Sequence, residues 1–182
     1  MKPTPPTPRV DETRPFRPVR IALLTVSDTR DASNDTSGDI LAARIAEAGH
    51  VLAARNLLRD DVERIRAQVK AWIEDSGIDV VISTGGTGLT GRDVTVEAIR
   101  PLFDKEIDGF SALFHQISYE KIGTSTIQSR ACGGVAKGTY IFALPGSNGA
   151  VKDGWDGILK AQLDIRHRPC NLVEIMPRLQ ER

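Results

Sequence analysis

Four loops of this chain carry residues suited to holding and transferring phosphate. The richest is Gly85-Gly86-Thr87-Gly88-Leu89-Thr90-Gly91, with four glycines in seven residues. Glycine costs backbone entropy, and a tight turn needs only one or two. The expected return is close approach of main-chain N–H groups to an anion, cradled by Gly85, Gly86, Thr87 and Gly88. Asp93 follows this loop, and Asp60 follows an earlier apolar run. Carboxylates without a metal would repel the phosphates that the glycines attract, whereas Mg²⁺ is held by one or two carboxylates together with substrate phosphates. Asp60 and Asp93 are therefore candidate catalytic residues and candidate Mg²⁺ ligands. Ser27-Asp28 and Pro145-Gly146-Ser147 leave two further apolar runs and are candidate ligand-binding residues.

Each aspartate also has a plainer reading as the N-cap of the helix that follows it. Asp60 with Glu63 three residues later forms a capping-box-like start. Two such aspartates flanking an anion cradle favour the chemical reading. Their settings differ: Asp61 beside Asp60 disfavours a second negative charge and is expected to raise the Asp60 carboxyl pKa. Asp93 has Arg92 beside it and is expected to be the carboxylate suited to a hard cation.

Other phosphate motifs fail on context. Gly86-Thr87-Gly88-Leu89-Thr90-Gly91 satisfies G-x-G-x-x-G, but a dinucleotide fingerprint opens a helix at once and needs an acidic residue ending the next strand. Arg92-Asp93-Val94-Thr95 intervenes instead. Gly133 to Thr139 looks like a P-loop but lacks the lysine after its last glycine. His50, His115 and His167 are isolated and show no ligand spacing. Arg166-His167-Arg168 reads as a solvated helix end.

The elements that position these loops alternate between two periods. Val19 to Ser27 and Ile78 to Thr84 are short, nearly continuous apolar runs, as in strands covered on both faces. His50 to Leu58 is a weaker strand, and Thr139 to Leu144 another, stopped by Pro145-Gly146. Helical stripes run through Ile40, Leu41, Arg44, Ile45 and Ala48, closed by Gly49. Others run through Val62, Ile65, Val69, Trp72 and Ile73, through Thr95–Phe103, through Phe110, Leu113, Phe114 and Ile117, and from Val151 to Leu163. Strands alternating with long helices predict an α/β fold, a three-layer αβα sandwich with a mostly parallel sheet. In such sheets ligands bind beyond the carboxyl ends of the strands, where the candidate loops lie.

The chain has 182 residues, one domain's worth. Six of its ten prolines fall in the first 18 residues. Residues 1–16 are thus expected to form a proline-rich disordered tail, and 17–182 a single domain. Lys plus Arg and Asp plus Glu balance at 24 each, which argues against a nucleic-acid binder held by a basic field. No apolar run reaches the ~18 residues of a membrane span. Cys132 and Cys170 stand far apart, which suggests a reducing compartment, the cytoplasm. The Phe110, Leu113, Phe114 and Ile117 stripe exceeds what a compact sandwich needs and predicts a subunit interface.

Together the motifs carry a resemblance. Thr84-Gly85-Gly86-Thr87-Gly88 followed by Arg92-Asp93-Val94-Thr95 and Glu97-Ala98 resembles the signature of the molybdopterin-binding family, which includes molybdopterin adenylyltransferases and the gephyrin G domain. Three further segments are similar to the protein B branch of molybdenum cofactor biosynthesis: Ile122 to Arg130, Ala143 to Ser147, and Arg168-Pro169-Cys170-Asn171. The resemblance runs from Val19 to Pro177. Val96 departs from it by standing where many members have proline, and Ser147-Asn148 replaces a proline-containing sequence. The resemblance implies that Asp60 and Asp93 are the family's essential aspartates. It implies that Gly85 to Gly88 form the phosphate loop for nucleotide and pterin, with Ser27, Asp28, Pro145, Gly146 and Ser147 completing the site. It implies adenylylation of molybdopterin with Mg·ATP, Asp93 holding Mg²⁺ and Asp60 orienting its water or the attacking phosphate. Other cofactor-biosynthesis enzymes and further copies of the chain, as trimer or hexamer, are the implied partners. The alternative is a non-catalytic molybdopterin-binding or scaffold protein of the same pathway, with residues 122–130 and 168–171 making subunit contacts.

Overall fold

A computed structural model describes residues 9–182. Its central sheet contains β2 (Arg20–Val26), β3 (Val51–Leu58), β4 (Val80–Thr84), β5 (Lys105–Glu106), β6 (Cys132–Ala136) and β7 (Thr139–Leu144), in the order β3-β2-β4-β7-β6-β5. The first four in that order run parallel, while β6 and β5 are antiparallel additions at one edge. A separate ribbon pairs β1 (Arg9–Val10) with β8 (His167–Arg168).

Alternation along the strands builds two cores. Ile21 and Leu23 of β2, with Val80 and Ile82 of β4, face α1 (Thr36–Glu47), α4 (Asp108–Ile122) and α5 (Asn148–Gly154), whose Leu41, Ile45, Phe114 and Val151 cover them. Ala22, Leu24 and Val81 face the other way, onto Ile65, Val69 and Trp72 of α2 (Val62–Glu74) and Val96 and Ile99 of α3 (Thr95–Ile99). The result is the expected αβα sandwich. From β2 the chain crosses to β3 on one side; from β3 it crosses back over β2 to β4 on the other. The carboxyl ends of β2 and β4 thus flank a topological switch point, where such sheets open a crevice.

Three expectations are corrected. Phe110 and Phe114 are buried at 4% and 1% exposure, and Ile117 packs against the same core; only Leu113 of that stripe is exposed. The stripe is the inner face of α4. Truncating a ring so placed costs ~3–5 kcal/mol. Second, residues 1–8 of the expected tail lie outside the described residues, but from residue 9 the chain is docked. Arg168 Nη2 donates to Asp11 Oδ2 at 3.0 Å, Arg14 pairs with Glu174 at 3.2 Å, and Phe16 packs on the His50 ring at 5.3 Å. Within residues 9–16 only Pro15 lacks a donor, and the β1 pairing, the Asp11 N–H to Arg166 O bond and these side-chain anchors hold the segment. Third, Asp61 rather than Asp60 caps α2, accepting from Arg64 N at 2.9 Å. Glu63 pairs instead with Arg66. The plainer reading of Asp60 is thereby removed.

Candidate functional site

The glycine loop leaves β4 with Gly85 and Gly86 at φ +95° and +67°, in the region that side chains avoid. Space also requires glycine. A Cβ on Gly85 would run into the Val26 carbonyl, and one on Gly86 would stand 2.7 Å from Asp60 Oδ1. Thr95 at the start of α3 donates its hydroxyl to Gly85 O at 2.8 Å and its N–H to Gly86 O at 2.9 Å. Arg130 grips the other end. Its Nε donates to Thr87 O at 3.0 Å, its Nη2 to Gly88 O at 2.9 Å, and its guanidinium also pairs with Glu97. With carbonyls held outward, the N–H groups of Gly86, Thr87 and Gly88 have no partner among the described residues. Unpaired main-chain N–H groups on a held loop are suited to receive an anion.

Three carboxylates surround the loop, each in a different condition. Asp28, just past β2, accepts from Arg92 Nε and Nη2, and these bonds hold its carboxyl below the usual carboxylate range. Asp60 N–H donates to Asp28 Oδ1 at 3.2 Å, and Arg92 Nη2 donates to Asp60 O at 3.1 Å, so one guanidinium ties the ends of β2 and β3 together. Asp93 closes the loop on itself, its Oδ2 accepting from the Thr90 N–H and hydroxyl. Arg92 therefore serves Asp28, not the adjacent Asp93. Asp60 is the outlier: its Oδ1 is buried with no hydrogen-bond partner. Burial, with Asp28 and Asp93 adding repulsion, pushes its carboxyl pKa up. The direction matches the sequence reading, but the cause is not Asp61.

A divalent cation fits this donor set. It would give Asp60 Oδ1 the partner it lacks and relieve the repulsion between Asp60 and Asp93. Among the described residues no cluster of three or more His, Cys, Asp or Glu could hold a metal alone. That suits Mg²⁺, which takes one or two carboxylates and leaves the remaining positions to phosphate and water.

The opposite wall comes from β2, α1 and β7. Ser27 Oγ accepts from the Thr29 and Arg30 N–H groups. Thr84 Oγ1 donates to Pro145 O at 3.1 Å, and Gly146 would place a Cβ 3.1 Å from Gly85 Cα. Ser147 caps α5, accepting from Ala150 N at 3.1 Å. Behind this wall Asp35 caps α1. Burial alone would raise its carboxyl, but bonds from Arg55, Thr25 and Gly38 outweigh that and hold it low. The cleft between these walls is open to one side and measures about 520 Å³. The structure brings every sequence-predicted site residue to it: Ser27, Asp28, Asp60, Gly85, Gly86, Thr87, Gly88, Asp93, Pro145, Gly146 and Ser147.

Residues 22–165, a span that contains all of them, match the sequence model of the family described as "Probable molybdopterin binding domain". The chain belongs to this molybdopterin-binding family. It is 51% identical over 156 residues to molybdenum cofactor biosynthesis protein B of Escherichia coli K12, covering 86% of this chain and 92% of that one. A crystal structure of a molybdenum cofactor biosynthesis protein B superposes with TM-score 0.80 at 42% identity, over 82% of this chain and 94% of that one. The tungsten cofactor synthesizing protein MoaB of Pyrococcus furiosus gives TM-score 0.71 at 36% identity, over 79% and 91%.

The cleft also holds residues that the sequence reading passed over: Thr25, Thr29, Arg30, Ser37, Thr84 and Ser129. A signal existed for two of them. Thr25 and Thr84 are polar residues near the ends of otherwise apolar runs; both are buried, with their hydroxyls bonded to Asp35 and to Pro145 O in the cleft wall. Arg130 was visible only as part of a branch-like segment. Here it buttresses the glycine loop.

Proposed function

We propose that this protein acts in molybdenum cofactor biosynthesis, joining molybdopterin to AMP with Mg·ATP as nucleotide donor and pyrophosphate as leaving group. The observation that carries this reading is the buried, unpartnered Asp60 Oδ1 set against Gly86 of the anion cradle. A carboxylate lacking a partner beside unpaired N–H groups suits a phosphate and its counter-cation together. The curated relative named for this pathway, at 51% identity, supports the same direction.

In this mechanism the molybdopterin phosphate oxygen attacks the α-phosphorus of ATP, the bond to the β-phosphate oxygen breaks, and pyrophosphate departs. Such transfer asks the protein for alignment and charge neutralisation rather than covalent chemistry. Asp60 and Asp93 would hold Mg²⁺, which when bound neutralises phosphate charge. The Gly86, Thr87 and Gly88 N–H groups orient the phosphate chain, and Arg130 and Thr95 keep those groups aimed. Arg92 fixes the Asp28 and Asp60 loops at a constant separation. The reading extends to assembly as a homo-oligomer and to partnership with other enzymes of the pathway in the cytoplasm.

The test is direct. Purified protein given molybdopterin and Mg·ATP should yield adenylylated molybdopterin, and Asp60→Ala or Asp93→Ala should each slow it ~100-fold or more. No product, beside a working adenylyltransferase control, would overturn the reading.

A further inference from the structure

Most arginines around this cleft are spent on protein partners. Arg92 is taken by Asp28 and the Asp60 carbonyl, Arg130 by Glu97 and the loop carbonyls, Arg55 by Asp35 and Asp39. Arg30 is not. It lines the cleft, yet among the described residues no carboxylate lies within ion-pair distance of it. Its one side-chain bond goes to a neutral acceptor, Nη1 donating to Ser37 Oγ at 2.7 Å. A guanidinium has five N–H donors in a fixed fork, so most of its capacity is unspent.

The side chain is nevertheless placed. The Arg30 N–H donates to Ser27 Oγ at 3.1 Å, anchoring the backbone it springs from. Ser37 is fully buried, and its Oγ lies 3.4 Å from Thr84 Oγ1, immediately before Gly85. A continuous line of contacts therefore joins Arg30 to the start of the glycine loop. Asp60 and Asp93 stand at the other stretch of that loop, beside Gly86 and Gly88. The unpaired Arg30 cation and the carboxylates of Asp60 and Asp93 thus line one cleft from different segments of the chain.

We infer that Arg30 binds a phosphate group directly, so that the cleft has one phosphate position that needs no metal beside one that does. Planar, two-point pairing with a phosphate is what an oriented guanidinium offers and a lysine does not. The inference rests on the adenylylation reading only for the two carriers of that phosphate, the triphosphate chain of ATP and the monoester of molybdopterin.

The experiment is calorimetric titration of the full chain with ATP and with molybdopterin, each in EDTA and again with Mg²⁺. Arg30→Gln should weaken binding of one of the two about 10- to 100-fold in EDTA, and the affected ligand identifies the carrier. Arg30→Lys, which keeps the charge without the fork, should show a smaller loss on the same ligand and guards against a misfolded glutamine variant. Unchanged affinity for both ligands in either variant overturns the inference, as does wild-type protein that binds neither. Binding lost in Arg30→Gln while the wild type makes no product leaves this inference standing and removes adenylylation. Product formation with full affinity in Arg30→Gln does the reverse.

Discussion

Arg92 grips Asp28 through two bonds, Nε to Oδ2 at 2.8 Å and Nη2 to Oδ1 at 2.9 Å. The pair is exposed, with 69% of the arginine side chain accessible, so it adds little to stability. Its worth lies in position, because the same guanidinium reaches the Asp60 carbonyl. Arg92→Ala is expected to change unfolding free energy by less than about 1 kcal/mol. The same change should lower turnover by ~100-fold, since small misplacements at a transfer site are costly. Urea unfolding beside single-turnover kinetics measures both; a large stability loss with full activity would refute the assignment.

Asp60 gives a prediction with a sign. Burial, then Asp28 and Asp93, raise its carboxyl pKa in the folded state, so the native protein holds that proton more readily than the unfolded chain. Stability therefore falls as pH rises from the ordinary carboxylate value through the raised one, and stays lowered above it. Asp60→Asn removes the charge. It should be more stable than wild type at pH 7, by about 1 kcal/mol, the lower end for a buried unsatisfied polar atom. The gain should vanish below about pH 4, where both states of wild type are protonated. Thermal melts at the two pH values decide it, and a less stable variant at pH 7 contradicts the account.

Arg130 should matter to the loop more than to the sheet. Arg130→Ala leaves the Thr87 and Gly88 carbonyls without their guanidinium partner, an expected loss of about 2 kcal/mol. Amide exchange should quicken at Gly86 to Gly88 and stay slow in β4. Uniform exchange change across β4 and the loop would mean that Arg130 acts on global stability instead.

Light scattering tests the assembly expected from the family. A trimer or hexamer of the 19.8 kDa chain is anticipated at micromolar concentration, and a monomer there would remove that expectation.

The site was legible where chemistry is local in sequence. Strand ends followed by Ser27-Asp28, Gly85 to Gly88 or Pro145 to Ser147 announce themselves, because a parallel sheet places all such ends on one edge. What escaped depends on distance along the chain. Nothing near Arg92 says that it pairs with Asp28 rather than Asp93, and nothing near Arg130 points to Thr87. Gly133 and Gly134 looked like part of a loop, yet they lie in β6. They are glycine because aromatic rings press on that strand: a Cβ on Gly133 would stand 2.8 Å from Phe142, and Gly134 lies under Phe103. The α4 stripe misled for a related reason, since the antiparallel addition of β6 and β5 widens the sheet and gives Phe110 and Phe114 something to cover. Adjacent acids were the last ambiguity. Whether Asp60 or Asp61 caps α2 turns on one residue of helix phase, which spacing alone does not fix.

The reach of Arg130 back to Thr87 and Gly88 has a consequence for how the protein comes into being. A nascent chain that has emerged only as far as Gly91 holds the glycine loop but neither Thr95 nor Arg130, which aim it. Arg130 follows ahead of β6 and β7, and Pro145 and Ser147 come only after β7, the last strand of the central sheet. Ligand affinity is therefore gained in one late step, with the completed domain. A bound ligand should in turn protect the entire fold against proteolysis rather than one half of it.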